Sequence, residues 1–324
     1  MKHYFYNLSL ISLFFLTFAS CKKNFFSADG ATWGTTYHIV YDGERQLDTE
    51  IEATLALVDS ELSMFNRNSR VSRINSGEDS IASDHFRNVF AISQRISRLS
   101  GGVYDPTVGP LSELWGFGHS QISAQPSDSA VAATLSAVGI SACSISDSGV
   151  VRKKSPATVF DFSSVAKGYG IDLVGDMLEK NGVRNYMIEI GGEVLVLGHN
   201  PQGKPWHIQI DSPASGPGHD CMDILALGPE KTAVASSGNY RNFRRRSDGS
   251  TYGHTLSPLT GYPVEGQIPA ATVIASDCAT ADAIATACMA AALPDSAIAI
   301  AHRADVRAII VCEDADSLKI IKTF

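Results

Sequence analysis

A few short stretches combine residue types and spacings that could do chemistry. Residues 161–172 read DFSSVAKGYGID. Asp161 closes an apolar stretch, two serines follow, and Ala166, Lys167 and Gly168 open a helical pattern. A helix start presents unpaired N–H groups and the positive end of its dipole, and with a lysine beside it this suits a phosphate. The same residues also describe an ordinary capped helix, with Ser164 as N-cap and Lys167 in water. Residues 277–286 read DCATADAIAT, with Asp282 and Thr286 four apart and so on one helix face. A carboxylate and a hydroxyl at that spacing suit a hard cation with oxygen ligands, Mg²⁺ above all. The alternative is a threonine bonded back to its own helix. The alanine-rich surroundings point to burial, and a buried carboxylate needs a partner or a metal.

Residues 254–263, HTLSPLTGYP, look like a strand running into a Pro/Gly turn, with His254 at its start. His254 could serve as acid, base or phosphate ligand, or be structural. Residues 101–110, GGVYDPTVGP, form a stiff glycine-rich loop that could accept a flat ligand or simply connect two elements. The cluster Arg241, Arg244, Arg245 and Arg246 could meet phosphates or an acidic partner; a solvated face is the plainer reading.

The elements that must position these residues follow from periodicity. Helical patterns cover 48–62, 83–99, 127–138, 166–180 and 277–293, the last stopped by Pro294. Strands are expected at 35–41, at 145–151 and 158–162 around a turn, and at 206–211, 222–227, 232–236, 307–312 and 318–322. Residues 186–190 and 193–197 form a hairpin across Gly191-Gly192. Helices come mainly early and strands mainly late, which argues an α+β (mixed α/β) fold rather than a doubly wound parallel sheet. Neither GxGxxG after a strand nor GxxxxGK[ST] occurs, so the two commonest nucleotide-binding signatures are missing.

The chain has 324 residues, 44% hydrophobic and 19% charged, which excludes disordered and collagen-like classes. Its formal charge of −8 gives no global electrostatic case for nucleic acid. The apolar run 8–18 is too short to span a bilayer comfortably and reads as the core of an export signal. It leads into Phe18-Ala19-Ser20-Cys21, which resembles a bacterial lipobox. The expectation is a leader at 1–20, lipid on Cys21, a membrane-proximal tether at 21–27 and one catalytic domain at 28–324. Plain secretion with cleavage near Ser20 is the alternative. Of the six cysteines, the five after Cys21 show no CxxC and no zinc spacing. Their odd number leaves at least one free thiol, and Cys278 and Cys288 are expected buried.

Taken together, these segments resemble the ApbE family, the FAD:protein FMN transferases. The resemblance runs in order through WGTTY at 33–37, LSMFN at 62–66 with SRIN at 72–75, YDPTVGPL at 104–111 and 161–172. It continues through EIGGE at 189–193, ASSGN at 235–239, 254–263 and 277–286. It implies a mixed α/β body with a flavin-nucleotide cleft that uses Mg²⁺. Such an enzyme cleaves the FAD pyrophosphate, joins FMN to a threonine of a partner protein and releases AMP. Carried over, Trp33, Phe65, Val103, Tyr104, Asp105, Asp161, Lys167 and Leu256 are the expected FAD contacts. Ser164, Asp282 and Thr286 are the expected metal ligands. His254 is implied nearest the transferred phosphate, and it, or a carboxylate such as Asp161 or Asp277, is expected to take the acceptor's proton. Trp33 stands where the family often has Met, Phe65 where it often has Tyr, and Ser163 where it often has Gly. The resemblance implies acceptors among subunits of Na⁺-pumping NADH:quinone reductase, the RNF-type complex or other exported flavoproteins. The lipobox-like segment ending at Cys21 implies a lipid-anchored location in the cell envelope, with the catalytic domain expected in the periplasm. An FAD pyrophosphatase, or a flavin-binding lipoprotein without catalysis, are the rival readings.

Overall fold

The computed structural model describes residues 24–118, 125–213, 221–238, 243–245, 251–314 and 317–324. In chain order the first elements are β1 (Asn24–Thr32), β2 (Thr35–Gly43), α1 (Asp48–Leu62), α2 (Arg70–Ser76), α3 (Asp84–Leu99), α4 (Gly109–Leu114) and α5 (Asp128–Leu135). Next come β3 (Ser144–Ile145), β4 (Val151–Arg152), α6 (Ala166–Lys180), β5 (Tyr186–Ile190), β6 (Glu193–Leu197), β7 (Trp206–Asp211), β8 (Cys221–Leu227) and β9 (Thr232–Gly238). The chain closes with β10 (Phe243–Arg245), β11 (Thr251–Gly253), β12 (Ala270–Ala275), α7 (Cys278–Ala290), α8 (Pro294–Arg303), β13 (Arg307–Asp314) and β14 (Ser317–Lys322).

An eight-stranded sheet in the order β1-β2-β5-β6-β9-β12-β13-β14 organises the chain, each neighbour antiparallel to the next. Its two faces are covered differently. Ile188, Ile190, Leu195, Ala233, Ala235, Ala271 and Val273 join the main core with α1, α3, α6, α7 and α8. Val194, Val196, Val234 and Ile274 point the other way and pack against Trp206, Ile208, Ile210 and Leu227 of the β7–β8 hairpin. Because β6 is covered on both sides, its residues read EVLVL without alternation. The β5–β6 connection is Gly191-Gly192, at φ 64 and 99, the left-handed region that glycine enters at no steric cost.

Helix α7 lies against β9, β12, α6 and α3, and nearly every one of its residues is buried. Its alanines permit that close fit. A side chain at Gly168 of α6 would sit 2.3 Å from the Cys278 carbonyl oxygen, so the two helices touch through backbone there. Two carboxylates close the start of α7: Asp277 accepts from Thr280 N at 2.8 Å, and Asp172 of α6 accepts from Cys278 N and Ala279 N at 2.7 and 2.9 Å.

Some expectations are corrected. β1 begins at Asn24 and pairs along its whole length with β2, so 24–27 belong to the sheet rather than to a tether. The leader and Cys21 lie outside the described residues. Residues 158–162 are not a strand: Phe160 and Phe162 alternate because they enter an aromatic cluster with Phe86 and Phe90, not a ladder. The helix expected at 277–293 is α7, which ends at Ala290, and Pro294 opens a further helix, α8, at a first-turn position where its missing N–H is harmless. Helices α2 and α4 and strands β1 and β12 carry no strong periodic signal and were not expected. Cys143, Cys278, Cys288 and Cys312 are buried free thiols and Cys221 is an exposed one.

Candidate active site

A cavity of about 350 Å³ opens on the helix side of the sheet, between the start of α6, α7, the end of β9 and the loops at 103–108 and 254–258. Val103, Tyr104 and Asp105 line it from one loop and His254 and Leu256 from the other. Asp161, Ser164 and Lys167 come from the entry to α6, and Asp282 and Thr286 from α7.

Its floor is a buried charge cluster. Lys167 forms an ion pair with Glu193, the first residue of β6, and Asp282 accepts from Gly168 N at 3.1 Å. Glu193 and Asp282 are only 4% and 5% exposed. Burial, then the nearby Asp282, push Glu193 up to about 8 despite Lys167. Burial likewise raises Asp282, against the pull of Lys167 and the Gly168 N–H. Burial alone would depress Lys167, but the two carboxylates outweigh it and raise the ammonium. Two carboxylates thus share one cation, and with both ionised the cluster is short of positive charge.

A divalent cation fits this deficit. Glu193 Oε2 is buried and meets Lys167 as an ion pair without an aligned hydrogen bond. Oxygen donors lie beside it: the Asp282 carboxylate, the Thr286 hydroxyl, 3.4 Å from Ser237 Oγ, and the Ser164 hydroxyl, which donates to Tyr104 Oη at 3.2 Å. Among the described residues no group of three or more His, Cys, Asp and Glu side chains could hold a metal, so any ion here would rely on hydroxyl and carbonyl oxygens too.

The structure sorts the other expected residues. Ser164 is not the α6 N-cap; Val165 holds that position without a side-chain bond, and the Asp282 carboxylate takes the Gly168 N–H instead. Asp161 accepts from Ser163 N and Oγ at 2.9 and 2.5 Å, and its own N–H donates to Pro106 O at 2.6 Å. That turn ties the α6 entry to the 103–108 loop. The Asp105 carboxylate is engaged by its own loop and by Ile140: it accepts from Thr107 N and Oγ1 at 2.8 and 2.5 Å and from Ile140 N at 2.8 Å. Asp105 therefore shapes the loop, which meets the cavity with the rest of its surface.

His254 is exposed at the rim, edge-on to Phe117 with ring centroids 6.3 Å apart. Trp33 and Phe65 do not line the cavity. Trp33, at φ 49, lays its indole over Gly170 and donates Nε1–H to Leu55 O at 3.2 Å. Phe65 is 76% exposed after α1. Arg241 and Arg246 lie outside the described residues. Sequence reasoning did not single out Glu193 or the Ser236-Ser237 pair. The available signal was an acidic residue opening an otherwise apolar strand.

Such a fold and cavity define a mixed α/β protein with a buried lysine–carboxylate site, and comparison with known proteins names its family. The ApbE family model matches residues 33–310, and the chain belongs to the ApbE family. It is 34% identical to the FAD:protein FMN transferase of Vibrio cholerae serotype O1, covering 96% of this chain and 95% of that one. It is 35% identical to the FAD:protein FMN transferase of Haemophilus influenzae, over 84% and 82% of the two chains. Among solved structures, the flavin transferase ApbE from Vibrio cholerae superposes with a TM-score of 0.82 at 31% identity, covering 93% and 97%. The apo flavinyl transferase ApbE of Pseudomonas stutzeri gives 0.81 at 32%, covering 93% and 95%. The expected α+β class agrees with these structures.

Proposed function

We propose that this chain moves FMN from FAD onto a threonine hydroxyl of an exported or membrane flavoprotein and releases AMP. The observation that carries the reading is the buried Lys167–Glu193–Asp282 cluster on the floor of a cavity walled by the start of α6. Phosphoryl transfer depends on alignment and charge neutralisation more than on covalent machinery, and the carboxylate excess of this cluster offers a seat to the cation that would neutralise the pyrophosphate.

Ser164, Asp282 and Thr286 would hold Mg²⁺, which when bound supplies positive charge to the pyrophosphate and to the departing AMP. Lys167 adds a second cation, held in place by Glu193. Leu256 and Val103 offer apolar surface to a flat ring. His254, exposed at the rim, is placed to take the proton of the attacking hydroxyl; Asp161 is the second candidate, with one oxygen already engaged by Ser163. Family kinship supports acceptors such as subunits of NADH:quinone reductase or RNF-type complexes. The lipobox-like Cys21 supports attachment to a bacterial membrane with the catalytic domain in the periplasm.

The test is direct. Mature protein incubated with FAD, Mg²⁺ and an unflavinylated acceptor is expected to add the mass of FMN to the acceptor and one AMP to solution. AMP release with no labelled acceptor would instead indicate an FAD pyrophosphatase, and FAD binding with neither product a non-catalytic flavin carrier.

A further inference from the structure

A second cavity, of about 440 Å³, lies on the opposite face of the sheet, between the sheet and the β7–β8 hairpin. The two cavities share Lys167, Glu193 and Ser236–Gly238 in their walls. These shared walls border a gap in the sheet, and strand register explains the gap. The β6–β9 ladder ends at Val194↔Val234, because the chain turns away at Gly191-Gly192. β9 continues to Gly238, paired with β12 as far as Ala270↔Gly238. Ala235–Gly238 therefore has a partner strand on the β12 side only, among the described residues. Because β5 and β6 both stop there, the space from β2 to β9 beyond the turn is three strand spacings, about 14 Å. An unpaired strand edge accepts an extended polypeptide through main-chain hydrogen bonds.

We infer that the hairpin-side cavity is the entry for the acceptor polypeptide, which lies extended against the free edge of Ala235–Gly238 and passes its hydroxyl through the gap beside Lys167 and Glu193. This rests on the FMN-transfer reading and adds where the second substrate binds. In-line displacement needs the nucleophile opposite the leaving group. With FAD in the helix-side cavity, the gap opens onto its phosphates from the other face of the sheet. There the acceptor hydroxyl oxygen forms the new O–P bond to FMN. The P–O bond to AMP breaks with its electron pair going to AMP, and the hydroxyl proton passes to His254 in the wall of the FAD cavity. Four unpaired residues span about 13 Å of extended chain, which selects a loop or terminal segment over a folded helix.

His207 and Met222 line the second cavity and not the first, so His207→Trp and Met222→Trp fill the entry from the hairpin side, away from the FAD site. The acceptor probe is an unflavinylated flavoprotein subunit offered first to the wild-type chain. Each folded variant is expected to lose at least tenfold in kcat/KM for that acceptor, mainly through KM, with FAD affinity and slow AMP release to water unchanged. Wild-type kcat/KM in a folded variant overturns the entry. A wild-type chain that releases AMP but labels no acceptor overturns the transfer reading itself, and the entry with it. A photo-crosslinker at exposed Gln209 on the cavity wall, in an otherwise wild-type chain, keeps the test open if both variants misfold. It is expected to trap the acceptor, whereas the same group at Leu57 on α1 is not; the reverse pattern overturns the proposal.

Discussion

The contact between α6 and α7 sets the geometry of the site, and Gly168→Ala tests it. The added Cβ would lie 2.3 Å from Cys278 O, 2.6 Å from Cys278 C and 2.9 Å from Ala279 Cα, all backbone atoms that cannot rotate away. Restoring the 3.4 Å of ordinary contact takes a separation of about 1 Å between the helices. Overpacking of this kind costs roughly 1–3 kcal/mol. For a body of this size that lowers Tm by roughly 2–5 °C. The same shift draws Asp282 from Gly168 N, now 3.1 Å away, and moves it relative to Lys167. A misplacement of about 1 Å at reacting groups is worth ~10²-fold in rate. The assay is Mg²⁺-dependent AMP release and acceptor labelling at saturating FAD, with thermal unfolding in parallel. A variant with wild-type kcat and Tm would refute the claim that this backbone contact positions the cluster.

Three further outcomes are expected. Asp282→Ala abolishes Mg²⁺-dependent flavinylation while leaving Lys167 paired with Glu193; full activity in a labelling assay refutes the metal assignment. Asp105→Ala strands the N–H groups of Thr107 and Ile140, costing about 2–4 kcal/mol; melting curves and an FAD titration should show a lower Tm and weaker binding. Asp172 is pushed up to about 7, chiefly by burial and against its bonds from Cys278 and Ala279 N–H. The folded state therefore holds its proton more tightly than the unfolded chain, and stability falls as pH rises from the ordinary 3.8 towards about 7. Chemical denaturation across that window should show a flatter profile for Asp172→Asn than for wild type; identical slopes would remove Asp172 as the source.

Local order was legible where a signal is local. The helix at 48–62 reads directly from Ile51, Leu55, Val58 and Leu62, which are its buried residues. The Gly191-Gly192 hairpin reads from two glycines between apolar runs, and one-face placement of Asp282 and Thr286 follows from helix geometry alone. Family kinship is also legible, because short motifs in a fixed order survive where overall identity does not. Cofactor-site membership followed less evenly: Trp33 and Phe65 share the motifs but pack or project outside the cavity, because a ring's position depends on the helix it lies against. The Asp105 carboxylate is consumed by Ile140, a partner distant in sequence. Glu193 acquires its role only when the sheet brings β6 under the start of α6. Periodicity is set by each residue's immediate neighbours, so sequence alone determined the helices at 48–62, 83–99 and 166–180, the turn and the family. Burial, charge pairing and the gap beside β9 are set by which strands stop where and by what covers each face. Those are long-range packing outcomes, and only the tertiary structure decided them.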